Sequence, residues 1–211
     1  SSAPEPLHGP FHGHVSACAG RVGFMEQTGE IAAGQLLIAT QPGRSGYFDR
    51  TVILLLDHRP MGTVGVTLNV ASDIDVAEAL PTLVPHLRPL PGIWEGGPVN
   101  GEVVIVLGEV ATSDTAPPGW QRLLRDVGIV DMSFPPELLD ASFSQLRAFI
   151  GLSAWSPGQL ENELLRGSWF RAWARPDDIF GDPAGLWRRV LRRMGGATGR
   201  WSTWAEEPAL N

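Results

Sequence analysis

The 211-residue chain carries a net charge of −7, with 43% hydrophobic and 18% charged residues. That length suits one ordinary domain with a sizeable core, and the negative field argues against a general nucleic-acid binder, whose phosphate contacts need basic surface. No apolar run approaches the roughly 18 residues of a bilayer-spanning helix, and a lone cysteine, Cys18, excludes an intramolecular disulfide and a multi-cysteine zinc site.

Residues 1–30 mix Pro, Gly, Ser and His without an apolar period and read as an extension or arm, leaving 31–211 as the domain. The arm lacks the basic start and apolar stretch of a secretory leader, so a cytoplasmic protein is expected. His8, His12 and His14 could hold a transition metal if the arm folded back, or could simply be solvated. Cys18 is a redox sensor only if its thiol is accessible and acidified, and is otherwise inert.

Downstream, Gln35–Thr40 reads as a strand stopped by Gln41-Pro42-Gly43. Thr51–Asp57 is a β-branched and leucine run suited to a strand buried on both faces. Thr63–Val70 alternates valine and leucine with small or polar residues, giving one apolar face. Asp75–Leu80 is a short helix, broken by Pro81 and Pro85. Ile93–Val99 and Glu102–Gly108 flank Asn100-Gly101, a pair suited to a two-residue type I′ hairpin turn. Val127–Met132 and Leu146–Leu152 are further strands. One helix starts at Ser156-Pro157 and stops at Arg166-Gly167; a second starts at Asp182-Pro183 and stops at Gly195-Gly196. The core is expected around Leu37, Val52, Ile53, Leu54, Leu55, Val66, Val104 and Val106. These elements give a single α+β domain rather than a regular βαβ array.

Three blocks resemble the bacterial AlgH/YqgE family of proteins without assigned biochemistry, some labelled transcriptional regulators. They are GQLLIATQPGRSGYFDRTVILLLDHRPMGTVGVTLN from Gly34 to Asn69, Glu95-Gly96-Gly97-Pro98-Val99, and GLSAWSPGQLENEL from Gly151 to Leu164 followed by Ser168-Trp169. The resemblance implies a mixed, strongly bent β-sheet with flanking helices. The chain departs from the family where Asn69 is followed by Val70-Ala71 instead of Arg-Pro, and at Gly151-Leu152 and Ala154-Trp155.

The candidate chemistry is sparse. Asp57-His58 could serve acid–base catalysis, but neighbours on a strand point to opposite faces and cannot pair without a bend. Gly96, Gly97 and Pro98 could shape an anion-binding nest, or a tight bend in the chain. Arg50 could grip a carboxylate or phosphate, or pair internally with Asp49 or Glu95; Asn69 would add donors to a shared pocket. Arg188, Arg189, Arg192 and Arg193 form the one concentrated basic face, suited to phosphate contact or to a solvated helix end. Neither a Walker loop nor a dinucleotide fingerprint is present. No cofactor or metal is expected. The first reading is therefore a non-enzymatic binding or regulatory module taking a small anionic ligand or a protein partner. A nucleic-acid-linked regulator and a hydrolase or transferase using His58 are the alternatives.

Overall fold

The computed structural model describes residues 29–40, 46–112 and 116–203. Nine strands run in chain order: β1 (Gln35–Ala39), β2 (Val52–Arg59), β3 (Gly62–Thr67), β4 (Ile93–Glu95), β5 (Val99–Val110), β6 (Trp120–Leu124), β7 (Val127–Val130), β8 (Phe143–Trp155) and β9 (Trp169–Trp173). The helices are α1 (Val76–Ala79), α2 (Leu139–Ser142), α3 (Gln159–Leu165), α4 (Pro176–Phe180), α5 (Leu186–Met194) and α6 (Gly196–Gly199). The strands form one sheet in the order β6-β7-β5-β8-β3-β2-β1-β9, antiparallel except where β4 joins β8 in parallel. No helix among the described residues is long and apolar enough to cross a membrane.

The sheet is strongly curled into a half-barrel. Its two ends approach each other, since a Cβ added to Gly34, just before β1, would lie 3.1 Å from the Leu123 carbonyl of β6. The enclosed face carries Leu36, Ile38, Val52, Leu54, Val66, Leu107, Val127 and Phe149, and it is filled by Ile179 and Phe180 of α4 and by Leu186, Trp187, Val190 and Leu191 of α5. The Trp187 indole N–H donates to the Ala39 carbonyl at 2.7 Å, fixing α5 against the end of β1. On the opposite face, alternate residues Leu37, Ala39, Ile53 and Leu55 pack with Trp155, Trp169 and Leu160 of α3. A third cluster around Val106, Val130, Phe143 and Leu146 is covered by Leu83, Leu87, Phe134 and Leu139. β2 is buried on both faces, as its composition requires, and Val104 is the one expected core residue left only partly buried.

The expected hairpin at Asn100-Gly101 does not form. β4 and β5 pair with opposite edges of β8 rather than with each other: Ile93–Glu95 run beside Ala148–Ile150, and Val104–Val110 beside Ile150–Phe143. Asn100 does take a positive φ of 50°, but within β5, where the register against β8 shifts between Val99 and Val104. An Asn-Gly pair suits a bulge as well as a turn, and pairing with the long central strand wins. β6, β9 and α4 were not apparent from periodicity. β6 and β9 are five residues each, with tryptophan and arginine on an amphipathic edge rather than an aliphatic run.

Candidate functional site

The Gly96-Gly97 turn carries the chain from one edge of β8 to the other. Gly96 N–H donates to the Ile150 carbonyl at 2.7 Å, and its own carbonyl accepts from Thr67 N–H at 2.8 Å and from the Ser153 hydroxyl at 3.3 Å. A Cβ on Gly97 would lie 2.4 Å from the Leu152 carbonyl carbon, and one on Gly151 would lie 2.5 Å from the Gly97 oxygen. Two backbones cross here in contact, so the space beside the glycines is occupied by protein. Pro98 follows on the exposed surface.

Arg50 and Asn69 do meet. The Asn69 side chain accepts from Val52 N–H at 2.9 Å and donates to the Arg50 carbonyl at 2.9 Å, closing the entry to β2. Arg50 has a positive φ of 55°, and its guanidinium lies 3.9 Å from the Asp49 carboxylate. In the 3-10 turn just before it, Gly46–Phe48, Tyr47 donates its hydroxyl proton to Glu95. Burial, reinforced by that carboxylate, pushes the Tyr47 phenol well above its ordinary pKa. The loop thus sits over the end of β4, next to the glycine crossing.

Asp57 and His58 separate as strand geometry demands. Asp57 pairs with Arg59 at 2.7 Å, whereas His58 Nδ1 meets its cross-strand partner Thr63 at 2.7 Å and Nε2 lies 3.7 Å from Glu161 of α3. The carboxylate facing the imidazole is therefore Glu161, contributed by another element, and not the sequence neighbour.

In the last block, Glu163 of α3 accepts from the Trp155 and Trp169 indoles at 2.9 and 2.7 Å and from Gln159 at 3.0 Å. One carboxylate thus ties α3 to the ends of β8 and β9. Replacing Glu163 with leucine is expected to cost about 1–3 kcal/mol for each buried indole N–H left without an acceptor. Glu163→Gln, which keeps one acceptor oxygen, should lose less. Thermal unfolding followed by tryptophan fluorescence checks the order, and equal melting of the leucine variant and the parent would contradict it.

The arginine face of α5 is largely engaged within the molecule. Arg188 donates to the Ser202 carbonyl at 2.8 Å, Arg189 to the carbonyls of Asp182 and Ala184, and Arg193 to both oxygens of Asp178 at 2.7 and 2.8 Å. Arg192 is exposed. Among the described residues no group of three or more His, Cys, Asp or Glu side chains is disposed to hold a metal. His8, His12, His14 and Cys18 lie outside the described residues.

Two features escaped the sequence reading. Arg147, in the middle of β8, is fully buried. Its guanidinium donates to the Leu68 carbonyl at 2.7 Å and the Ile179 carbonyl at 2.5 Å and stacks 4.2 Å from the centre of the Trp94 ring. Burial pulls its pKa down to about 9. A charged residue inside an otherwise apolar strand was the available signal. The second is a cavity of about 180 Å³ lined by Arg125, Ala172, Trp173, Ala174, Arg175, Arg193 and Met194. Its arginines are 68 residues apart at the extremes (193 − 125), so only the curling of the sheet brings them together.

The family model described as AlgH-like matches residues 36–199. The chain belongs to the AlgH-like family. A UPF0301 protein from Streptomyces avermitilis is 40% identical over 183 residues, covering 84% of this chain and 94% of that protein. One from Streptomyces coelicolor is 39% identical with the same coverage. The crystal structure of protein DIP2367 from Corynebacterium diphtheriae superposes with a TM-score of 0.78 at 30% identity, covering 89% of this chain and all of that one. The solution structure of AlgH from Pseudomonas aeruginosa has a TM-score of 0.61 at 24% identity, covering 82% and 94% of the two chains, and shows the same fold. These AlgH-like relatives bear names without a biochemical activity, so function has to be argued from the site.

Proposed function

We propose that this protein is a non-enzymatic binding or regulatory module. The observation that carries the reading is the engagement of its acid–base candidate. His58 is held between Thr63 and Glu161, and Thr63, the hydroxyl that a nucleophilic mechanism would need, is only 3% exposed in the paired strands. A nucleophile must reach its substrate as well as its base, and this one is closed off. The recognition surface on this reading is the rim formed by the Tyr47–Arg50 loop with Glu95 and the exposed Pro98, underlain by the buried Gly96-Gly97 crossing, with Asn69 holding the loop from below. Tyr47 there is 47% exposed yet anchored by Glu95, and a positioned aromatic ring loses little entropy on binding. A small anionic ligand or a protein partner is the expected occupant.

The internal bonds of Arg188, Arg189 and Arg193 argue against a direct nucleic-acid role for α5. The lone cysteine suits a reducing compartment, and we infer a cytoplasmic protein. Assays with chromogenic carboxylate and phosphate esters are expected to give background turnover, unchanged in His58→Ala. Turnover above background that disappears in this variant would make the protein an enzyme.

A further inference from the structure

We propose that the cavity at the seam of the sheet, between Arg125, Arg175 and Arg193, is a binding site for the phosphate group of a small phosphorylated molecule. The inference rests on the binding-module reading and gives it a ligand class and a second place on the molecule, distinct from the Tyr47 rim. The cavity holds about 180 Å³ and opens where the end of β9, the turn between β6 and β7, and the last turn of α5 converge. It therefore draws on both edges of the curled sheet and on the helix that fills it.

The electrostatics are what point to an anion. Three arginines line one small space in a chain whose net charge is −7. Arg193 is neutralised by Asp178, which is nearly buried and accepts through both oxygens. Arg125 and Arg175 are exposed, and among the described residues no carboxylate pairs with either, in contrast to Arg193. Arg122, near Arg125 in sequence, is by contrast tied to the Arg125 carbonyl and lies 3.7 Å from Asp126. Gathered like charges repel, and an anion between them converts that repulsion into attraction. Guanidinium forks match phosphate oxygens in pairs, so a group with several anionic oxygens is favoured over a single carboxylate. The backbone helps to hold the geometry: Arg193 also donates to the Trp173 carbonyl at 3.3 Å, and Ala174 N–H donates to the Gly34 carbonyl at 3.0 Å. Trp173, 57% exposed at the cavity wall, offers apolar contact to whatever carries the phosphate.

Pyrophosphate serves as the probe, with malonate as the carboxylate control and sodium chloride matching ionic strength. Titration calorimetry on the full chain is expected to give one pyrophosphate per protein, and a rising melting temperature with pyrophosphate, because a ligand that binds only the folded state stabilises it by mass action. The double variant Arg125→Gln/Arg175→Gln should lose at least about tenfold in affinity, the order expected from removing charge-assisted bonds. Arg192→Gln, on the same helix but outside the cavity, should bind as the parent does. Both variants alter exposed side chains, and their melting without ligand verifies folding. Equal stabilisation by malonate, no heat with pyrophosphate, or undiminished affinity in the double variant would each overturn the proposal. None of these results would bear on the ester assays, which test the non-enzymatic reading separately.

Discussion

Gly97→Ala is expected to leave no stably folded protein at 37 °C. Gly97 has a φ of 150°, a backbone region essentially closed to residues with a side chain. The added methyl carbon would sit 2.4 Å from the Leu152 carbonyl carbon and 2.5 Å from the Ser153 nitrogen. Both are backbone atoms of the central strand, so the clash cannot be relieved by turning a side chain. Strain and overlap together place the loss above about 4 kcal/mol, in the range where a named structural cause is required. Gly101→Ala is the matched control four residues on. A Cβ there meets nothing within 4 Å, and losing a glycine's freedom in the unfolded chain should make that change neutral or stabilising by about 0.4–1 kcal/mol. Soluble expression and circular dichroism melting distinguish the two. A Gly97→Ala protein melting with the parent would mean that the crossing of backbones is not as close as described.

Arg147→Ala should be the most damaging side-chain truncation in the sheet. It removes a buried side chain packed on Trp94 and Phe149, opens a cavity, and strips a donor from the Leu68 and Ile179 carbonyls. A loss of about 3–5 kcal/mol follows, or roughly 10 °C in melting temperature for a chain of this size. Arg147→Met should recover part of it, because the volume is largely kept and no charge has to be desolvated. The pH response has a definite sign. A folded-state pKa lowered to about 9 means that the folded protein holds this proton less tightly than the unfolded chain. The burial cost therefore persists through neutral pH and is relieved only as pH rises through about 9. Equal denaturation midpoints for the parent and Arg147→Ala would remove the residue from the list of fold determinants.

The two predictions mark where sequence reasoning reached and where it stopped. β1 and β2 were legible from their apolar runs, β3 from its alternation of valine with small or polar residues, and α5 because Leu186, Trp187, Val190 and Leu191 fall on one helical face. The glycine pair was legible as a place of close approach. What approaches it was not, since Gly151 and Leu152 lie more than 50 positions on (151 − 97 = 54). Asn69 could be selected as a polar group next to Arg50, but not as a bridge between two strands. The family resemblance supplied the bend of the sheet, which local periodicity does not encode. Long-range geometry also hid the partner of His58, the buried site of Arg147, and the meeting of Arg125, Arg175 and Arg193, each of which depends on elements that come together only in the finished fold.

The central place of β8 has a consequence for how the chain acquires its structure. Strand β4 finds its partner, and β3 and β5 their second neighbour, in residues 143–155, and β1 gains its second neighbour only with residues 169–173. A nascent polypeptide emerging from the ribosome would therefore hold most of its sheet incomplete until residues 143–155 have been synthesised, and β1 one neighbour short until residues 169–173 follow. Loop-closure entropy must be met before such distant pairings reward it, so refolding from denaturant should be slow for a domain of this length. The unpaired edges exposed meanwhile are the surfaces most prone to aggregation.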